Sequence, residues 1–274
     1  MSTVETTFID TACGKIACHE TGSGRQTVVL VHGNSASAKA YERQLTSPLA
    51  ERYRLVAIDL PGHGQSDDAT DLSVYSIPGY ARILKEVAAR LGLDDAVYVG
   101  WSLGGHIVLE AAEDFPAAPG FVILGTPPLA FPPAMDQAFL PHPAMRYTFA
   151  PKLTREEAID YVTAAFAPGY ANVPPGFVED ALRTDGRARA SLADNIQPIG
   201  YRDEVDIVAC LTRPLAVLHG AAEQLVNGAY IAALTMPTLW RGKMQIIEGA
   251  GHAPQWERPE AFNALLAAFL AESS

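Results

Sequence analysis

Short apolar runs alternate with helix-patterned segments along this chain, and that alternation limits its fold more than any other feature. KIACHE, TVVLVHG, YRLVAID, AVYVGW, FVILG, PLAVLHG and KMQIIEG read as strands. The later ones are too apolar to leave one face in water. IPGYARILKEVAARLG and ERPEAFNALLAAFLAE, lying among them, carry helical periodicity. Apolar strands joined through helices imply a parallel sheet covered on both faces.

The alternation stops between FVILG (121–125) and PLAVLHG (214–220). That gap is too long for a simple crossover and is rich in Pro, Phe, Met and Tyr. REEAIDYVTAAFA (155–167) and FVEDALRTDGRARASLADN (177–195) read as helical within it. An insertion at the C-terminal edge of a parallel sheet lies above the usual ligand crevice, so it is expected to form a cap. The division expected is a core domain of 1–126 and 211–274 with a helical cap over 127–210. A chain of 274 residues can bury a substantial core in such an arrangement.

A net charge of −11 argues against a nucleic-acid partner, and the basic stretch RTDGRARA (183–190) is too small to make a basic face. The start, MSTVETTFID, has neither a basic nor an apolar region, so no secretory signal is expected. No apolar run approaches the ~20 residues needed to cross a bilayer. Cys13, Cys18 and Cys210 are odd in number and lack metal-site spacing, which fits free thiols in a reducing compartment. The expectation is a cytoplasmic monomer that acts on a small molecule, without membrane or nucleic-acid partners.

Chemistry enters with VYVGWSLGGHIVLEAA, which holds G-x-S-x-G as Gly100-Trp101-Ser102-Leu103-Gly104. A strand precedes the motif and a helix follows it. That context makes Ser102 a nucleophile candidate, because a strained strand-to-helix turn needs small neighbours and lifts the serine above the sheet. A hydroxyl needs a base to remove its proton. His252, in EGAGHAPQWERPE, sits in a small-residue loop after the last strand and before the final helix, where such a base is delivered. His106, His63 and His19 read as structural.

The acid should lie between the two in chain order. Glu223 follows PLAVLHG directly and fits, provided the turn sets its extra methylene back by ~1.5 Å. Asp136, early in the insertion, is the rival. An oxyanion needs two donors. The backbone N–H of Leu103 is one, and HGNSAS supplies that of Asn34 as the second, with its side-chain amide available to a substrate. His32 and Gly33 shape that turn.

HGNSAS, DLPGHGQS (59–66), GWSLGG and GHAP, in this order, resemble the α/β-hydrolase superfamily. The resemblance implies a mostly parallel eight-stranded sheet with helices on both faces and a helical cap inserted after the sixth strand. HGNSAS, GWSLGGHI, GTPP and RTDGRAR are similar more closely to the AidH-type N-acyl-homoserine lactonases, which degrade bacterial quorum-sensing signals. That likeness implies a metal-independent lactonase without cofactor, a glutamate acid at Glu223, and a cap tyrosine on the substrate head group, here Tyr161. Leu129, Phe131, Met135, Phe139, Phe149 and Phe166 either wall an acyl-chain pocket or pack the cap itself. The H-x-H-x-D-H cluster of dinuclear-metal lactonases is missing; His63-Gly-Gln-Ser-Asp67 is the nearest approach. A carboxylesterase, a C–C or amide hydrolase, and a ligand receptor on the same fold are the alternatives.

Overall fold

A computed structural model describes residues 3–195 and 201–273. Eight strands form a single sheet: β1 (Glu5–Thr11), β2 (Gly14–Thr21), β3 (Thr27–Val31), β4 (Arg54–Ile58), β5 (Val97–Trp101), β6 (Phe121–Leu124), β7 (Leu215–Gly220) and β8 (Gln245–Ile247). Their order is β1-β2-β4-β3-β5-β6-β7-β8. Strand β2 pairs antiparallel with β1 and with β4, and every pairing from β4 to β8 is parallel. β5 therefore stands in the middle, with its C-terminal end between those of β3 and β6.

Side chains of successive strand residues enter opposite layers, as the two-residue pleat requires. Val29 and Val31 belong to one core with Tyr80, Ile83, Leu84 and Val87 of the helix α1 (Ile77–Leu91). Val28 and Leu30 belong to the other, against Phe262, Leu266 and Phe269 of the C-terminal helix Pro259–Glu272. Helix α1 begins where the Ser76 hydroxyl accepts from the Gly79 N–H, and it ends at Gly92 in the left-handed region.

Strand β1 is absent from the sequence reading for a physical reason. ETTFIDT is polar and mostly exposed, an edge strand whose pairing with β2 contributes little apolar burial. The segment between β6 and β7 carries the helices α3 (Arg155–Ala164), α4 (Pro175–Arg183), α5 (Gly186–Asn195) and α6 (Glu204–Cys210), with α2 (Leu103–Ala111) beneath the last. The expected helix over 177–195 is thus two helices. The chain turns at Thr184–Asp185, where the Asp185 N–H leaves the helix for Gly62 O at 2.8 Å and its carboxylate takes the Tyr75 hydroxyl. No helix of the described residues is long and apolar enough to cross a membrane.

The arginines of RTDGRARA make no basic face. Arg183 pairs with Asp68 and Arg187 with Asp185. Arg189 is 2% exposed, and no described carboxylate forms an ion pair with it. It donates instead to Ala150 O at 2.7 Å, Ala181 O at 3.1 Å and Ser35 Oγ at 3.3 Å. One buried cation thereby joins two stretches of the inserted segment to the turn after β3. Arg189→Met would leave these acceptors unpaired, and we expect it to cost about 2–3 kcal/mol, a fall in Tm of roughly 4–6 °C for a chain of this size. Arg187→Met, at a half-exposed pair, should change stability by less than about 1 kcal/mol. Thermal unfolding of the two variants side by side checks the difference.

Candidate active site

Between β5 and α2 the chain reverses through one residue. Ser102 has φ 54° and ψ −119°, a conformation that L-residues rarely adopt. The turn is held by the Ser102 N–H on Leu124 O at 2.9 Å, and by the Gly105 N–H and Thr126 hydroxyl on Ser102 O at 2.8 and 2.9 Å. Its two glycines have no substitute. A Cβ on Gly100 would come 2.3 Å from Gly104 O, and one on Gly104 would come 2.2 Å from Val31 O. The G-x-S-x-G spacing is thus a packing requirement, and the strain of about 1–3 kcal/mol at Ser102 persists because its surroundings over-determine it.

His252 follows β8. The Trp101 indole donates to its carbonyl at 2.7 Å, and its ring lies over Gly125, where a Cβ would come 2.7 Å from Cε1. Nδ1 bonds Oε2 of Glu223 at 2.7 Å, and both side chains are buried, at 7% and 2% exposure. The other carboxylate oxygen takes the Leu225 N–H at 2.7 Å. Burial pushes Glu223 up, but the His252 charge and hydrogen bond, the Leu225 N–H and the nearby His219 outweigh it and hold the carboxyl below the usual range. The small residues before Glu223 set its reach. Ala221 and Ala222 donate to Ile247 O and Ala250 O, and a Cβ on Gly220 would meet Gly251 O at 2.0 Å. The acid loop therefore lies flush on the histidine loop. Asp136 is exposed on the short helix Met135–Ala138 and makes no bond to His252.

Ser102, Leu103, Asn34, Tyr161 and His252 line one cavity. Neither the Leu103 nor the Asn34 backbone N–H has an acceptor in the protein among the described residues. The turn carrying Asn34 reaches the nucleophile closely, since a Cβ on Gly33 would come 3.1 Å from Ser102 Cβ. The Asn34 side chain is partly committed: its amide donates to Thr148 O at 2.9 Å and its carbonyl accepts from the Ser35 hydroxyl at 3.1 Å. Tyr161 is half-buried on the cavity wall, with Thr148, Ser35 and Arg189 nearby; burial pushes its phenol up. Of the apolar wall, Leu129, Met135, Phe139 and Phe149 line the cavity. Phe131 packs on Tyr201, and Phe166 is fully buried between Tyr170 and Phe177.

His32, His63 and His19 lie elsewhere. His32 bonds Gly33 O and the Leu60 N–H, His63 bonds Pro61 O beneath it, and His19 bonds Asp59. Four residues at the site carried no signal in the sequence. Glu257 accepts from the Gly251 N–H at 2.7 Å and the Ala167 N–H at 2.8 Å, and Gln224 donates to Phe166 O at 2.8 Å. Both loops of the Glu223–His252 pair therefore grip the same stretch of the inserted segment. Ser35, at φ 58°, takes Arg189; His106 lines the cavity one turn beyond Ser102.

Residues 26–259 match the model of the alpha/beta hydrolase fold. Among solved structures the chain is similar to a mutant of N-acyl homoserine lactonase AidH complexed with N-hexanoyl homoserine lactone, at 34% identity and TM-score 0.94 over 98% of each chain. Among curated proteins it is 27% identical to a 2-hydroxy-6-oxononadienedioate/2-hydroxy-6-oxononatrienedioate hydrolase of Cupriavidus pinatubonensis, over 93% of this chain and 90% of that one. It is 28% identical to a pimeloyl-(acyl-carrier protein) methyl ester esterase of Edwardsiella ictaluri, over 92% and 95%.

The depressed Glu223 carboxyl makes stability depend on acid. Its ionised form is favoured in the folded state, so its contribution is complete above the unfolded value of about 4.3 and is lost as pH falls through the lower folded value. Glu223→Gln lacks this contribution. Urea unfolding across the acid range should find the native protein's advantage over the variant shrinking below roughly pH 4.3; a constant difference would mean the carboxylate is not held by its partners.

Proposed function

The chain belongs to the α/β-hydrolase family and resembles the lactonase AidH; from that membership we propose that it opens the lactone ring of N-acyl-homoserine lactones through an acyl-enzyme. The observation that carries the reading is the 2.7 Å bond from a buried Glu223 to His252, whose imidazole shares an apolar cavity with Ser102. Likeness to AidH over 98% of both chains, inserted segment included, supports the choice of substrate.

In the proposed reaction Ser102 Oγ attacks the ring carbonyl while His252 Nε2 takes its proton. Glu223 fixes the tautomer through Nδ1–H and stabilises the imidazolium that forms. The N–H groups of Leu103 and Asn34 receive the developing oxyanion. His252 then returns the proton to the ring oxygen as the carbonyl re-forms, and a water activated by the same imidazole resolves the ester. A lactone's leaving alcohol stays tethered and can re-close the ring, with effective molarities of ~10⁵ M or more. Residues 127–210, read as a cap, supply the means to draw it aside: the Tyr161 hydroxyl is the polar contact for the head group. The acyl chain runs along Leu129, Met135, Phe139 and Phe149, each buried methylene contributing about 0.8 kcal/mol.

The 2-hydroxy-6-oxononadienedioate hydrolase named above acts, by its name, on a dicarboxylate. No lysine or arginine is among the described residues lining this cavity, which favours an uncharged acyl chain.

Mass spectrometry of a reaction with N-hexanoyl-homoserine lactone tests the reading. The product should be the substrate plus one water, with no free homoserine lactone. Ser102→Ala should abolish turnover, and Glu223→Gln should lower kcat by about 10²–10⁴-fold. Activity should survive chelators. Release of homoserine lactone would make the protein an amide hydrolase, and turnover of aryl esters alone would make it a general esterase.

A further inference from the structure

One turn of α2 beyond Ser102, a second histidine–carboxylate pair meets the cavity. His106 Nδ1 lies 2.9 and 2.8 Å from the two oxygens of Glu204, and Glu204 Oε2 also accepts the Leu129 N–H at 2.8 Å. Glu204 is fully buried at the start of α6 and bonds Leu129 O through its own N–H. His106 is 7% exposed and lines the cavity, and among the described residues no protein group bonds its Nε2. Buried His63 also leaves Nε2 without a partner, but sealed in the core, whereas His106 stands where a cavity occupant can supply one. This one turns its bonded nitrogen to the protein and leaves the other to the cavity.

Chemistry assigns the free nitrogen a role. An ionised Glu204 only accepts, so Nδ1 donates to it, and the ring tautomer this pair selects leaves a lone pair on Nε2. The pair to Leu129 sets the ring on the wall made by Leu129, Met135 and Phe139, whose side chains offer Nε2 nothing to bond. His106 lies four positions beyond Ser102, about 6 Å along the helix axis, so an acyl chain held on Ser102 Oγ comes within reach of the ring a few bonds from its carbonyl.

We infer that His106 is a specificity-determining residue whose Nε2 accepts a hydrogen bond from a hydroxyl on the acyl chain, so that 3-hydroxyacyl substrates are preferred to unsubstituted and to 3-oxoacyl ones. A 3-oxo group would set a carbonyl lone pair against that of the ring. The inference rests on the acyl-enzyme reading of this cavity, and not on the leaving group being a lactone alcohol.

The test compares kcat/KM for 3-hydroxyoctanoyl-, 3-oxooctanoyl- and octanoyl-homoserine lactone, and for the ethyl esters of 3-hydroxyoctanoate and octanoate. One neutral hydrogen bond should favour the hydroxylated chain by about 3- to 10-fold. His106→Phe should bring that ratio to about one in both series; because each ratio is taken within one preparation, losses of folded enzyme cancel. Glu204→Gln gives the second reading. With its oxygen on the Leu129 N–H, the Gln amide donates to Nδ1, Nε2 carries the proton, and preference should move toward the 3-oxo chain. An unchanged ratio in His106→Phe, or a native preference for the 3-oxo chain, would overturn the inference. Esters that show the ratio while lactones stay intact would sink the lactonase reading and leave this one standing; lactones opened without regard to the hydroxyl would do the reverse.

Discussion

The strained turn at Ser102 organises the rest of the molecule. Its left-handed backbone survives only because β5 lies between β3 and β6, whose C-terminal ends close in on it from both sides. From β3 comes the Asn34 turn, separated from Ser102 by a glycine that leaves no room for a side chain. Strand β6 contributes Leu124 O for the Ser102 N–H, then Gly125, over which the His252 ring lies. One residue in an unfavourable conformation is thus the point where three loops meet, and every proposed catalytic group is measured from it.

Using glutamate where aspartate is more usual places a second demand on the loops. The run Gly220-Ala221-Ala222 presses the acid loop onto Ala250 and Gly251, and the Glu223 side chain spans from there to the imidazole. The arrangement is not self-supporting. Glu257 and Gln224 each tie one of these loops to the stretch at Phe166 and Ala167, so the Glu223–His252 geometry and the seating of the inserted segment share their hydrogen bonds. A change in how that segment packs would reach the imidazole through Gly251 on one side and through Gln224 and Glu223 on the other.

What could be read from the sequence was what local rules govern. Apolar strands, the strand–turn–helix around Ser102 and the small-residue loop before His252 all follow from short stretches, and the structure brings Ser102, His252 and Glu223 to one end of the sheet. Strand β1 escaped because an edge strand needs no apolar run. The helix break at Thr184–Asp185 escaped because its cause, the carbonyl of Gly62, is more than a hundred residues away. His106 and Arg189 escaped for the same reason. A histidine on a helix and an arginine in a basic-looking stretch acquire meaning only from Glu204, Ser35 and Ala150, which no spacing rule connects to them.

Those two buried polar residues bear on how such a cavity acquires its selectivity. Apolar side chains of the inserted segment can be exchanged for others of similar volume at small cost, because cores tolerate such swaps. Glu204 and Arg189 cannot be exchanged so freely, since each holds several partners that would be left unpaired in the interior. Both join the segment to the elements around the sheet, and each ends at a group on the cavity wall: His106 for one, Ser35 for the other. The attachment of the segment and the polar features of the cavity are therefore built from the same bonds. Exchanging an apolar residue of the wall is therefore a smaller disturbance than exchanging either polar one.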